Sequence, residues 1–111
     1  MQLNNTQYIE EVEMITTKQR AHLRALGNAL EPVMQIGKEG LSDNSLTSIR
    51  QVLEARELAK FKVLQNCDEG PKLLANEIAS KIGADVVQVI GKIFILYKKS
   101  KKKGAKHIEL P

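Results

Sequence analysis

Apolar residues recur along the chain with two kinds of spacing, and these spacings predict where helices and strands alternate. In three segments the apolar residues stand three or four positions apart, as on one face of a helix. These residues are Leu23, Leu26 and Leu30 in the first segment, Leu46, Ile49 and Leu53 in the second, and Leu74, Ile78 and Ile82 in the third. Short apolar or alternating runs between and after the helices predict four strands. The predicted element order is therefore αβαβαββ, an α/β (α+β) fold.

The first helix has a clear start and a clear stop. Thr16 fits an N-cap and Gln19 the third helical position, which together make a capping box. The helix is expected to run to about Ala29, and Pro32 prevents it from continuing. Three cations project from its other faces: Lys18, Arg20 and Arg24.

A glycine loop follows the first predicted strand, residues 33–36. The loop consists of Gly37, Lys38, Glu39 and Gly40, and the capping residue Ser42 opens the second helix. A helix N-terminus offers unpaired N–H groups and a positive dipole end, and glycines let a phosphodiester backbone approach closely. Lys38 adds a cation. The alternative is a turn that merely needs two glycines, and spacing alone does not exclude it.

The strand predicted after the second helix has one basic face. That helix is expected to end at about Glu57, and residues 58–64 then alternate in character. Ala59, Phe61 and Val63 share one side, whereas Lys60 and Lys62 share the other.

The remaining elements are a helix and a hairpin. Pro71 suits the first turn of the third helix, and Gly83 its C-terminal cap. Residues 86–90 and 93–97 flank Gly91-Lys92, which fits a type II′ turn. Both arms are almost continuously apolar, which predicts strands inside the sheet or covered on both faces.

Length and composition favour one small unexported domain. The chain has 111 residues, 42% of them hydrophobic, and Cys67 is its one cysteine. No apolar run approaches the ~20 residues of a membrane span, and the N-terminus lacks a secretory segment. We expect a cytoplasmic protein with a flexible extension at residues 1–13 and a folded domain at residues 14–111.

Basic charge is concentrated towards the C-terminal end. The net charge is +4, residues 1–13 contain three glutamates and no base, and residues 98–111 contain six lysines and one glutamate. A lysine cluster suits a polyanion, but it also suits a solvated tail that only aids solubility.

Several segments together resemble the CRM domain (chloroplast RNA splicing and ribosome maturation) in its single-domain bacterial YhbY form. The resemblance spans about residues 14–111, and the segments that carry it are residues 30–33, 36–41, 53–58, 87–92, 96–97 and 108–111. It implies a mixed four-stranded sheet with three helices, similar to the C-terminal domain of the third translation initiation factor.

The same resemblance implies RNA binding and association with precursors of the large ribosomal subunit. In this family the Gly-x-x-Gly loop is likened to the KH loop that clamps an RNA backbone. That role transfers to residues 37–40. Two departures stand out: Glu39 brings an acid into the loop, and residues 1–13 have no counterpart.

Catalysis finds little support in the sequence. Cys67 has no local nucleophile signature, and His22 and His107 lack the spacing of metal ligands. Glu54 and Glu57 are expected to be solvated on their helix. We therefore expect no enzyme, no metal and no cofactor.

Two functional classes remain open. The first is a monomeric RNA-binding assembly factor that contacts ribosomal RNA, with no membrane and no small-molecule substrate. The second is a protein-docking module on the ribosome or its precursor, whose lysines only confer solubility. The residues expected to bind RNA are Gly37, Lys38, Glu39, Gly40, Lys18, Arg20, Arg24, Lys60, Lys62, Lys92, Lys98 and Lys99.

Overall fold

The structure, a computed structural model, describes residues 15–37, 41–65 and 70–111. Its helices are α1 (Thr17–Asn28), α2 (Asp43–Arg56) and α3 (Pro71–Ile82). Its strands are β1 (Pro32–Ile36), β2 (Leu58–Val63), β3 (Asp85–Ile90) and β4 (Ile93–Tyr97). The predicted αβαβαββ order and the mixed sheet with three helices are confirmed.

The helix boundaries follow the capping residues that the sequence offers. Thr16 and Gln19 form the reciprocal capping box, and the Ser42 hydroxyl accepts a hydrogen bond from the Ser45 N–H at the start of α2. Pro71 occupies the first turn of α3, and Gly83 ends it with φ +74°. These local signals therefore fix where the helices begin and end.

The four strands lie in the order β1-β2-β4-β3. β1 and β2 are parallel, and the other neighbouring pairs are antiparallel. A parallel pair needs a crossover connection, which α2 supplies. The prediction for the hairpin arms holds fully for β4, which is central and buried. β3 is an edge strand, and its last residue Ile90 is 58% exposed.

The larger core lies between the sheet and the helices α2 and α3. Phe61 and Phe94 are opposite each other on β2 and β4, fully buried, and their rings stack with centroids 5.3 Å apart. The apolar positions of α2 and α3 pack over them: Leu46, Ile49, Leu53, Leu74, Ile78 and Ile82. The apolar stripes predicted for α2 and α3 are therefore the buried faces.

A second, smaller core lies on the other side of the sheet, under α1. Leu23 is fully buried there against Leu58, Ile95 and Tyr97. The prediction was wrong for Leu26, which is 41% exposed. Gly27 takes the buried position instead, because a Cβ at Gly27 would come within 2.8 Å of the Ile95 Cδ1 atom. The missing side chain lets α1 lie close to the sheet.

Glu57 contradicts the expectation of a solvated carboxylate. It follows the last residue of α2 with φ +65° and is only 1% exposed. Its carboxylate accepts hydrogen bonds from the Ser100 N–H (2.7 Å), the Ile108 N–H (2.8 Å) and the His107 Nδ1 (2.5 Å). Its backbone carbonyl also accepts a bond from the Lys98 N–H.

The C-terminal segment, residues 98–111, is consequently bound to the rest of the domain. Beyond the bonds to Glu57, Ile108 and Leu110 pack against the second core, and the Gln19 side chain donates to the Pro111 carbonyl. Between these attachments the lysines at 101, 102, 103 and 106 are exposed. The segment is a loop held at both ends.

Candidate nucleic-acid interface

α1 covers only part of its side of the sheet. The strand register places Gln35, Lys62, Ile93 and Ile90 opposite one another in one row across all four strands. We call these four residues the open row. They share the side on which α1 lies, because Lys62 is two residues beyond Lys60 and Lys60 lies opposite Ile95, the residue beneath Gly27.

The open row mixes amide, cationic and aliphatic side chains. Gln35, Lys62 and Ile90 are exposed and Ile93 is partly buried. Lys60 is partly buried in the adjacent row, nearer to α1. The predicted basic face of β2 is therefore confirmed, and it is a surface on which a polyanion could lie.

One end of the sheet brings together Gly37, where the predicted glycine loop begins, and the hairpin. We call it the loop end. β1 ends at Ile36 and leads into Gly37, while the Val63 N–H of β2 donates to the Lys92 carbonyl at 2.7 Å. Gly91 has φ +56°, which both primed hairpin turns require at this position. α2 begins at this end too, and the positive end of its dipole is there, offset by the Asp43 carboxylate in its first turn.

The predicted residues Lys38, Glu39 and Gly40 lie outside the described residues. The KH-like grip of the loop therefore stays a prediction. Gly37, Lys62 and Lys92 lie at the loop end, and Lys60 lies nearby on β2. This is the largest group of predicted site residues that the fold brings together.

Of the three cations predicted on α1, Arg20 already has structural partners. Its Nε donates to the Val86 carbonyl at 3.2 Å, and its charge acts on the Asp85 carboxyl. Burial raises the pKa of Asp85, and the Ile15 N–H and the Arg20 charge offset part of that effect. Arg20 therefore fastens α1 to the edge strand β3.

Arg24 and Lys18 are exposed on α1. Arg24 is one turn beyond Arg20 and shares its flank of the helix. The opposite flank carries Gln19, which donates to the Pro111 carbonyl of the C-terminal segment. Arg24 therefore lies on the flank of α1 that faces β3 and is free of the C-terminal segment.

The predicted residues Lys98 and Lys99 lie away from the loop end. They line a shallow pocket of about 200 Å³ at the C-terminal half of α2, together with Arg50, Leu53, Glu54 and Ser100. α2 has 14 residues, so its two ends are about 20 Å apart. The predicted site residues consequently do not lie on one continuous surface.

Sequence reasoning missed the Glu57 network and three members of the open row. Burial alone raises the pKa of Glu57, but the hydrogen bonds from His107, Ser100 and Ile108 outweigh it and hold the pKa below its ordinary value. One signal was present. A glutamate at a helix C-terminus lies near the negative end of the helix dipole, so it is unfavourable there unless hydrogen-bond donors or a cation stabilise its carboxylate. Gln35, Ile93 and Ile90 gave no such signal, because their row depends on strand register.

Within the described ranges, no helix is long and apolar enough to cross a membrane. The same ranges hold no group of three or more histidine, cysteine, aspartate or glutamate side chains placed to bind a metal ion.

Comparison with known proteins identifies the family. A probable RNA-binding protein of Bacillus subtilis named YqeI is 44% identical over 98 residues, covering 88% of this chain and 100% of the relative. A protein of Haemophilus influenzae named as an RNA-binding protein is 38% identical over 88 residues, covering 79% of this chain and 89% of the relative.

A solved structure agrees with these relatives. The solution structure of a hypothetical protein from Staphylococcus aureus superposes with a TM-score of 0.73 at 42% identity, covering 88% of this chain and 100% of that one. The family model of the CRS1/YhbY (CRM) domain matches residues 15–98. The chain belongs to the CRS1/YhbY (CRM) domain family.

Proposed function

We propose that this protein binds RNA, that its main contact is the loop end together with the open row, and that its target is ribosomal RNA in precursors of the large subunit. The observation that carries the proposal is the position of Lys60 and Lys62 on the side of the sheet that α1 covers only in part, with Lys62 exposed and Lys60 partly buried. Lys62 lies opposite Gln35 and Ile93, next to the end of β1 and the hairpin residue Lys92.

Relatives that match the chain across most of its length support RNA as the partner, since several are named as RNA-binding proteins. The ribosomal target rests on what membership of the CRM family implies. In this proposal the loop of residues 37–40 takes the RNA backbone, while Lys60, Lys62 and Lys92 hold adjacent phosphates. The protein positions RNA and carries out no reaction.

The described aromatic side chains favour contact with the RNA backbone over aromatic stacking. Phe61, Phe94 and Tyr97 are all at most 5% exposed. They fill the two cores, so they are not available to stack on bases. Lysines can neutralise phosphates whatever the base sequence.

The salt dependence of binding tests this proposal. Affinity for a ribosomal RNA fragment is measured at increasing salt for the wild type, for Lys60→Gln/Lys62→Gln, and for the control Lys72→Gln/Lys81→Gln on α3. Both variants lose two positive charges, but α3 covers the other side of the sheet. Each lost phosphate contact lowers the slope of log affinity against log salt by about 0.7 to 0.9. The slope for the β2 variant should be lower than that of the wild type by up to twice that amount, and the slope for the control should equal that of the wild type.

Equal slopes in the two variants would place the contact elsewhere. Weak binding whose affinity does not change with salt would favour a protein-docking module instead. Crosslinking in cells, followed by sequencing of the attached RNA, checks the ribosomal target separately. Recovery of RNA without enrichment of large-subunit sequences would reject that target and leave RNA binding intact.

A further inference from the structure

We infer that the open row receives the bases of single-stranded RNA, and that the protein therefore prefers an unpaired RNA segment to a duplex. This inference rests on the proposed function and specifies which class of RNA, unpaired or duplex, binds to the same surface. It is drawn from two isoleucines, one exposed and one partly buried, that lie beside a lysine on the part of the sheet that α1 does not cover.

The first step is the position of Ile90 and Ile93. They are cross-strand partners at the end of the β3–β4 hairpin, and Ile90 is 58% exposed. Exposed single apolar residues are common on protein surfaces. Here the two isoleucines adjoin each other, so they make a continuous aliphatic strip beside the hairpin residues Gly91 and Lys92.

The second step is the charge next to that strip. Lys62 lies directly opposite Ile93 on β2, and Gln35 lies opposite Lys62 on β1. The row therefore runs from an amide through a cation to an aliphatic strip. Strands are spaced about 4.8 Å apart, so the row is roughly 14 Å long.

The third step is the shape of the ligand that such a row would stabilise. A duplex presents phosphates, sugars and groove edges to a flat surface and keeps its base faces stacked inside. An unpaired strand can lay its bases against the isoleucines while its phosphates reach Lys62 and Lys60. The aliphatic strip therefore adds affinity only for unpaired RNA, whereas the lysines act on both forms.

The continuity with the glycine loop supports the same ligand. Gln35 lies on β1 two residues before Gly37, which follows the end of that strand, so the row begins beside the start of the loop proposed to hold the RNA backbone. A strand gripped at the loop can continue across the sheet. α1 limits its path on one side, because Gly27 lies directly over Ile95, which is in the row next to the open row.

The test compares one short RNA in two forms, single-stranded and annealed to its complement, by fluorescence anisotropy. Ile90→Gln removes the exposed end of the strip, and Leu73→Gln is the matched control, since Leu73 is 64% exposed on α3. We expect Ile90→Gln to lower affinity for the single strand about fivefold, as expected when burial of one exposed aliphatic side chain is lost. Duplex affinity should be unchanged, and Leu73→Gln should change neither.

Unchanged single-strand affinity, or an equal loss for both forms, would overturn the inference. Ile90→Thr keeps a β-branched side chain on the strand and replaces the glutamine variant if that one unfolds. Failure of the wild type to bind either RNA would remove the proposed function itself. Salt-dependent binding that is insensitive to Ile90 would remove only the preference for unpaired RNA.

Discussion

Replacing Glu57 with alanine tests whether one buried carboxylate holds the C-terminal segment in place. Glu57 accepts three hydrogen bonds, from Ser100, His107 and Ile108. Hydrogen bonds to a charged group contribute about 1.5 to 3 kcal/mol each, so three would sum to about 5 to 9 kcal/mol. The segment can detach and let water satisfy the freed donors, which limits the loss. We therefore expect the free energy of unfolding to fall by about 3 kcal/mol, less than that sum.

Urea unfolding measures this loss, and Glu54→Ala is the control. Glu54 lies three residues earlier and is exposed on α2, so its removal should change stability by less than about 0.5 kcal/mol. Hydrogen exchange locates the effect. The amides of Ser100 and Ile108 should exchange roughly a hundredfold faster in Glu57→Ala, the equivalent of ~3 kcal/mol. Equal losses in the two variants, or unchanged protection of both amides, would refute the role assigned to Glu57.

Three further predictions concern the loss of stability at acid pH, the packing of α1 against Ile95, and the C-terminal lysines. The pKa of Glu57 is lower in the folded protein than in the unfolded chain, so its stabilisation is present above the ordinary glutamate pKa of about 4.3 and is lost as the pH falls below it. Glu57→Gln should therefore flatten the fall in urea midpoint between neutral and acid pH relative to the wild type, and parallel curves would contradict this. Asp85, whose pKa is raised, acts in the opposite sense but is common to both proteins. Gly27→Val should lower the free energy of unfolding, measured in urea, by about 2 kcal/mol, because the valine side chain would meet Ile95. The exposed control Ala25→Val should lower it by under about 1 kcal/mol. Equal losses would disprove the close approach of α1 to the sheet. Changing all six lysines of residues 98–111 to glutamine should keep the fold and lower the salt slope of RNA affinity by about 0.7 to 0.9 for each phosphate lost; a slope equal to that of the wild type would remove this segment from the RNA surface.

The sequence predicted the helices and strands well because their signals are local. Thr16 and Gln19 cap α1 within one turn, and Gly83 ends α3 through its own backbone conformation. The alternation of residues 58–64 likewise assigned Lys60 and Lys62 to the side away from the larger core. In each case the deciding interaction lies within a few residues.

The features that the sequence did not reveal depend on contacts between distant segments. Glu57 meets residues 43 to 51 positions away, so no pattern around it predicts its burial. The exposure of Leu26 follows from the close approach at Gly27, and the exposure of Ile90 follows from the place of β3 at the sheet edge. The open row depends on three strand registers at once. Such arrangements need the tertiary structure.

The central claim is that RNA lies on the loop end and the open row, and an NMR titration tests it most directly. A single-stranded fragment of ribosomal RNA is added to the isotope-labelled protein, and the amide signals are followed. The account predicts that the largest shifts fall on Gln35, Gly37, Lys62 and the hairpin residues 90–93, with small shifts along the outer faces of α2 and α3. Shifts confined to those two helices, with the open row unchanged, would contradict it.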